Sequence, residues 1–160
     1  MAKYLTRAAP CLASGKILFV DESAPTMPDY QSILTLIGLK LLYGSKVFVA
    51  YPIDYLYSDW VGDGAELYGR GFGYARVLDR ALKNENEVSG RDFPLSRTSL
   101  QAFGAVVVGS IARNERVSQR LLGLFPPEKT LWIHGEDIGP TPAEIASFRQ
   151  AGIHAFAREL

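Results

Sequence analysis

Apolar residues in this chain fall into short unbroken clusters that alternate with longer stretches of helical period. Ile17, Leu18, Phe19 and Val20 form a run too short for a helix, bounded by Gly15 and by Asp21-Glu22-Ser23, and predict a buried first strand. After Pro25 and Pro28, residues Ile33, Leu34, Ile37, Leu41 and Leu42 recur at helical spacing, with Asp29 placed to cap, and predict a helix running to Gly44. Residues 47–50 predict a second strand closed by Tyr51-Pro52, and a strand–helix–strand unit of this length implies a parallel pair with a right-handed crossover.

The later elements repeat this alternation. Ala105, Val106, Val107 and Val108 predict a central strand, because consecutive apolar, largely β-branched residues without polar alternation indicate burial on both faces. Val117, Leu121, Leu122 and Leu124 continue as a helix that stops at Pro126-Pro127, and residues 130–134 predict the next strand. Thr141, with Pro142 at the first helical position and Glu144 three residues on, predicts a capped helix ended by Gly152, and 153–157 a last strand.

Other segments are less regular. Residues 1–15 lack a sustained period and read as an N-terminal arm, loose or docked on a partner, with room for a short helix. Residues 54–73 mix Tyr55, Tyr57, Trp60, Tyr68 and Phe72 with five glycines and read as a long structured loop or site wall. Helical spacing returns over 74–83, 84–91 reads as a polar exposed connection, and 95–103 as another short helix. No repeat or linker divides the rest, so 16–160 is expected to form one α/β domain. Its architecture is a three-layer, mostly parallel, doubly wound sheet of the Rossmann-like or flavodoxin-like kind.

Composition narrows the partners. The chain has 160 residues, 48% of them hydrophobic, enough for one core without staples. Lys plus Arg equals Asp plus Glu at 17 each, so no global field favours nucleic acid or an acidic membrane surface. The single cysteine, Cys11, excludes an internal disulfide and fits a reducing cytoplasm, and the N-terminal apolar run is too short for a signal core or a membrane span.

In an open parallel sheet, ligands bind beyond the carboxyl ends of the strands, where backbone amides at helix starts are free. The first strand end offers Asp21, Glu22 and Ser23, the central one Ser110 and Arg113, and the next His134, Glu136 and Asp137. The aromatic, glycine-rich loop adds Tyr68 and Arg70 as candidate contacts. Polar groups beside aromatic platforms suit a carbohydrate or another hydroxyl-rich ligand. Asp21, Ser23 and Asp137 equally suit helix caps, His134 a structural strand end, and the aromatic loop a packed lid.

Other chemistries lack their residues. No glycines follow the first strand as a dinucleotide site needs, and no G-x-x-x-x-G-K-[ST] loop is present. His134 and Glu136 form an H-x-E, but one cysteine cannot supply the P-C-x-x-C of a zinc deaminase, and two widely spaced histidines do not make a transition-metal site. Asp21-Glu22 after KILFV resembles the acidic pair of receiver domains. That family places its acceptor aspartate at the end of the third strand, where this chain has Gly109-Ser110.

Four segments in order, KILFVDES, LYGRGFGYAR, FGAVVVGSIARNE, and LWIHGED with the terminal GIHAFAREL, resemble the N-terminal half of a bacterial glycosyltransferase-like family. This is the spore-maturation type, with the two-Rossmann-domain GT-B architecture. The likeness is strongest at Gly135-Glu136-Asp137 and at Phe156, Arg158, Glu159 and Leu160. It implies an acceptor-binding rim, with Asp21, His134, Glu136 or Asp137 as candidate general bases and no cofactor of its own. In such enzymes a second domain binds the nucleotide-sugar donor. This chain ends before one, so a donor-binding domain or another protein chain is an implied partner, and no transfer is expected from this polypeptide alone. A non-catalytic Rossmann-like interaction module and a receiver-like regulatory domain are the alternative readings.

Overall fold

The computed structural model describes residues 2–67, 72–135 and 139–157. Five strands make one all-parallel sheet: β1 (Lys16–Val20), β2 (Val47–Val49), β3 (Phe103–Val108), β4 (Thr130–His134) and β5 (His154–Ala157), in the order β2-β1-β3-β4-β5. The α/β doubly wound expectation therefore holds, with the valine-rich β3 at the centre. The chain moves outward from β1 to β2, then crosses back to β3 on the other side of β1, so the order reverses between β1 and β3.

Period-two alternation explains the two cores. In β1, Ile17 and Phe19 face one side with Ala105, Val107, Leu131 and Ile133, while Leu18 and Val20 face the other with Val106, Val108 and Trp132. The first face is covered by α1 (Ala2–Ala8) and α2 (Tyr30–Tyr43), the second by α4 (Arg97–Leu100), α5 (Glu115–Leu122) and, toward the β5 edge, α6 (Pro142–Gln150). Side chains packed on both faces are why the strands read as unbroken apolar runs.

The predicted caps are present. Asp29 accepts from Ser32 N at 2.9 Å at the start of α2, and Gly44 closes that helix at φ 58°, a left-handed φ that suits glycine. Thr141 and Glu144 form the expected capping box on α6.

Four expectations are corrected. The N-terminal segment is no loose arm: Leu5, Ala9 and Leu12 are fully buried in the core beneath α1 and α2. Their helical spacing is hidden in sequence because Pro10 breaks it into α1 and a 3₁₀ turn, Pro10–Ala13. Residues 74–83 do not form a helix. Leu78 N donates to Leu56 O and Ser58 N to Leu78 O, so a bridge between Tyr57 and Leu78 takes the backbone bonds, and Arg76 turns through φ 59°. The 84–91 segment is not simply exposed, because α3 (Glu85–Val88) buries Glu87 against Lys40. At 95–103, α4 is one turn capped by Ser96, and β3 already starts at Phe103.

Candidate functional site

The carboxyl ends of β1, β3 and β4 lie on one edge of the parallel sheet, and the first turn of α2 is packed against them. A β-carbon at position 109 would lie 2.5 Å from Asp21 Oδ2 and against the Ser32 hydroxyl, and one at position 135 would lie 2.5 Å from Asp29 Oδ1. Only glycine at both strand ends lets α2 come this close. Asp21 and Ser110 are brought together through Asn114, whose Nδ2 donates to Asp21 Oδ1 at 2.9 Å and to Ser110 O at 3.0 Å.

Asp21 is an interior group and not an open rim carboxylate. It is 1% exposed and accepts five hydrogen bonds: Ser23 N, Ser23 Oγ, Ala24 N and Asn114 Nδ2 at 2.7–3.1 Å on Oδ1, and Ser32 Oγ on Oδ2. Enclosed by these donors and almost wholly buried, Asp21 has no open face for an acceptor hydroxyl to approach. Ser23 is bound into the same turn. Glu22 is exposed, its backbone N held by Asn114 Oδ1 at 2.7 Å. Arg113 donates from Nη1 to Met27 O at 2.8 Å and so tethers the β1–α2 loop to the start of α5, instead of standing free for an anion. The crevice between β1 and β3, where a switch-point ligand would sit, is thus filled by Asp21, Ser32 and Asn114.

The neighbouring part of the rim differs. Ser110 Oγ, His134 Nδ1 and Gln31 Oε1 are buried and have no hydrogen-bond partner among the described residues, at the ends of β3 and β4 and in the first turn of α2. Beside them burial raises the Asp29 carboxyl above its usual range, with the Ser32 amide and Arg113 opposing the shift. Burial also pushes the Tyr74 phenol up to about 12, helped by Tyr30 and Asp29, and its ring meets Tyr30 edge-on at 5.5 Å.

The aromatic loop supplies core more than platform. Tyr55 and Tyr57 are buried, and their hydroxyls donate to Ala24 O and to the Glu87 carboxylate. The candidate residues Tyr68, Arg70, Glu136 and Asp137 lie outside the described residues, as do Arg158, Glu159 and Leu160 of the terminal motif. Sequence reading missed Ser32, Asn114 and Gln31. The signal for Ser32 and Gln31 was a polar pair in the first turn of a largely apolar helix; Asn114 carried none. Among the described residues, no group of three His, Cys, Asp or Glu is placed to hold a metal, and no helix is long and apolar enough to cross a membrane. No protein-family model matches the chain, and no curated protein or solved structure matches it.

Proposed function

We propose that this chain is the acceptor-side half of a GT-B-type glycosyltransferase, taking a hydroxyl-rich acceptor at the rim formed by the ends of β3 and β4 and the first turn of α2. The observation that supports this reading is the set of three buried polar atoms at this rim that have no partner among the described residues, Ser110 Oγ, His134 Nδ1 and Gln31 Oε1. A buried polar atom left unpaired costs about 1–3 kcal/mol, and three on adjoining elements suit a ligand that both donates and accepts. Sugar hydroxyls do both.

In this reading His134 replaces Asp21 as the candidate base, since an imidazole can accept a hydroxyl proton near neutral pH. The donor sugar belongs to a second domain, so acceptor binding without transfer is expected of this chain. Calorimetric titration with oligosaccharides tests it: binding weakened by Ser110→Ala and by His134→Phe supports the proposal, and binding indifferent to both opposes it.

The saturated Asp21 cluster also favours a second reading, a non-catalytic Rossmann-like module that acts through protein contacts. The outer face of α2 fits it, because Tyr30, Leu34 and Leu41 are at least half exposed there. The receiver-like alternative has less support, since Asp21 is enclosed and β3 ends in Gly109-Ser110 with no carboxylate.

A further inference from the structure

We propose that the outer face of α2 is a self-association surface, on which a second copy of the chain lays its own α2 about a two-fold axis. This deepens the second reading above, that of a contact module, and does not depend on the acceptor rim.

α2 is turned inside out relative to an ordinary surface helix. Apart from its two tyrosines it has four polar side chains, and all four are buried: Gln31, Ser32 and Thr35, together with Lys40, whose ammonium meets Glu87 at 2.7 Å. Its four exposed side chains, Tyr30, Leu34, Leu41 and Leu42, are aromatic or aliphatic and 43–67% exposed. A surface helix normally shows charged and polar residues to water, and a contiguous apolar face marks a contact.

Spacing identifies the occupant as a helix. Tyr30, Leu34, Ile37 and Leu41 follow one another at steps of four, three and four, the 3.5-residue seam on which two helices interlock, narrower than the stripe that packs on a protein core. Gly38 adjoins this seam. A glycine inside a helix costs about 1 kcal/mol relative to alanine, and here it lets a second backbone approach closely.

Charge points to a copy of the same chain. In paired helices the positions beside the seam carry the charges that choose an unlike partner. Those positions are Gln31, Ile33, Gly38 and Lys40, and the one charge among them is directed inward to Glu87. A two-fold axis sets the same patch against itself, which an uncharged seam accepts without like-charge contact. The chain as a whole adds no net repulsion, because its 17 Lys and Arg residues balance 17 Asp and Glu.

Sedimentation equilibrium on the intact chain tests the proposal. A monomer–dimer equilibrium is expected, not weakened by added salt, because no ion pair holds it. Leu34→Glu with Leu41→Glu, both at exposed positions, should raise the dimer Kd about a hundredfold and leave the urea midpoint of the dilute monomer unchanged. Val88→Glu, at an exposed valine of α3, should leave association intact. A dimer indifferent to the paired leucine substitutions, or equally lost in Val88→Glu, would overturn it. A chain that stays monomeric at millimolar concentration but takes up a synthetic two-heptad leucine peptide, with uptake lost in the paired variant, would overturn the choice of a second copy and keep the contact-module reading. A monomer that takes up no such peptide would end both.

Discussion

Gly109, the residue after β3, lies so close to Asp21 at the end of β1 that a single added methyl would stand 2.5 Å from the carboxylate. This contact closes the switch-point crevice with the protein's own polar groups. Gly109→Ala must push apart Asp21 and Ser32 and is expected to cost about 3 kcal/mol or to prevent folding. Gly73→Ala, whose β-carbon would meet nothing within 4 Å among the described residues, should stay within about 0.5 kcal/mol of the parent. Urea unfolding of the two variants checks the contrast.

Lys40 and Glu87 form a buried ion pair at 2.7 Å, with Tyr57 and Asn84 completing the hydrogen bonds. Burial lowers the Lys40 ammonium below its usual range, against the pull of Glu87. Removing one charge strands the other, so Lys40→Met should cost about 3–5 kcal/mol. The double variant Lys40→Met with Glu87→Leu should be less destabilised than Lys40→Met alone. A double-mutant cycle reads the coupling.

Asp29 carries a pH signature. Its carboxyl is raised in the folded state, so the folded chain holds that proton more tightly than the unfolded chain. The stability it contributes is complete below the unfolded value of ~4 and is lost as pH rises through the raised folded value. Asn keeps the cap for Ser32 N without titrating. The stability of Asp29→Asn relative to the parent should therefore improve between pH 4 and pH 7, and unfolding curves across that range would show a flat or falling difference if this sign is wrong.

The N-terminal helix belongs to the core. Leu5 is fully buried beside α2, so Leu5→Ala is expected to cost about 2–5 kcal/mol. A dispensable arm would lose almost nothing, and the shift in the thermal midpoint separates the two.

The sheet was legible because residues 17–20 and 105–108 are buried on both faces and leave no polar interruption to misread. Local pattern failed where long-range pairing decides: Leu78 looked helical but bonds to Leu56, and Glu87 looked exposed but meets Lys40, far away in sequence. The parallel strands do bring Asp21, Ser110 and His134 to one edge of the sheet, as their places just after the strands implied. Which of them is sealed and which left unpartnered depends on Asn114 and Ser32, whose approach no spacing rule reports.

The claim that an acceptor sits at the ends of β3 and β4 is tested most directly by amide chemical-shift mapping during oligosaccharide titration. The account predicts the largest saturable shifts at Ser110, Gly135 and the Gln31 side-chain amide. Shifts confined to the opposite edge of the sheet, around Lys16 and Thr130, or none at millimolar sugar, would contradict it.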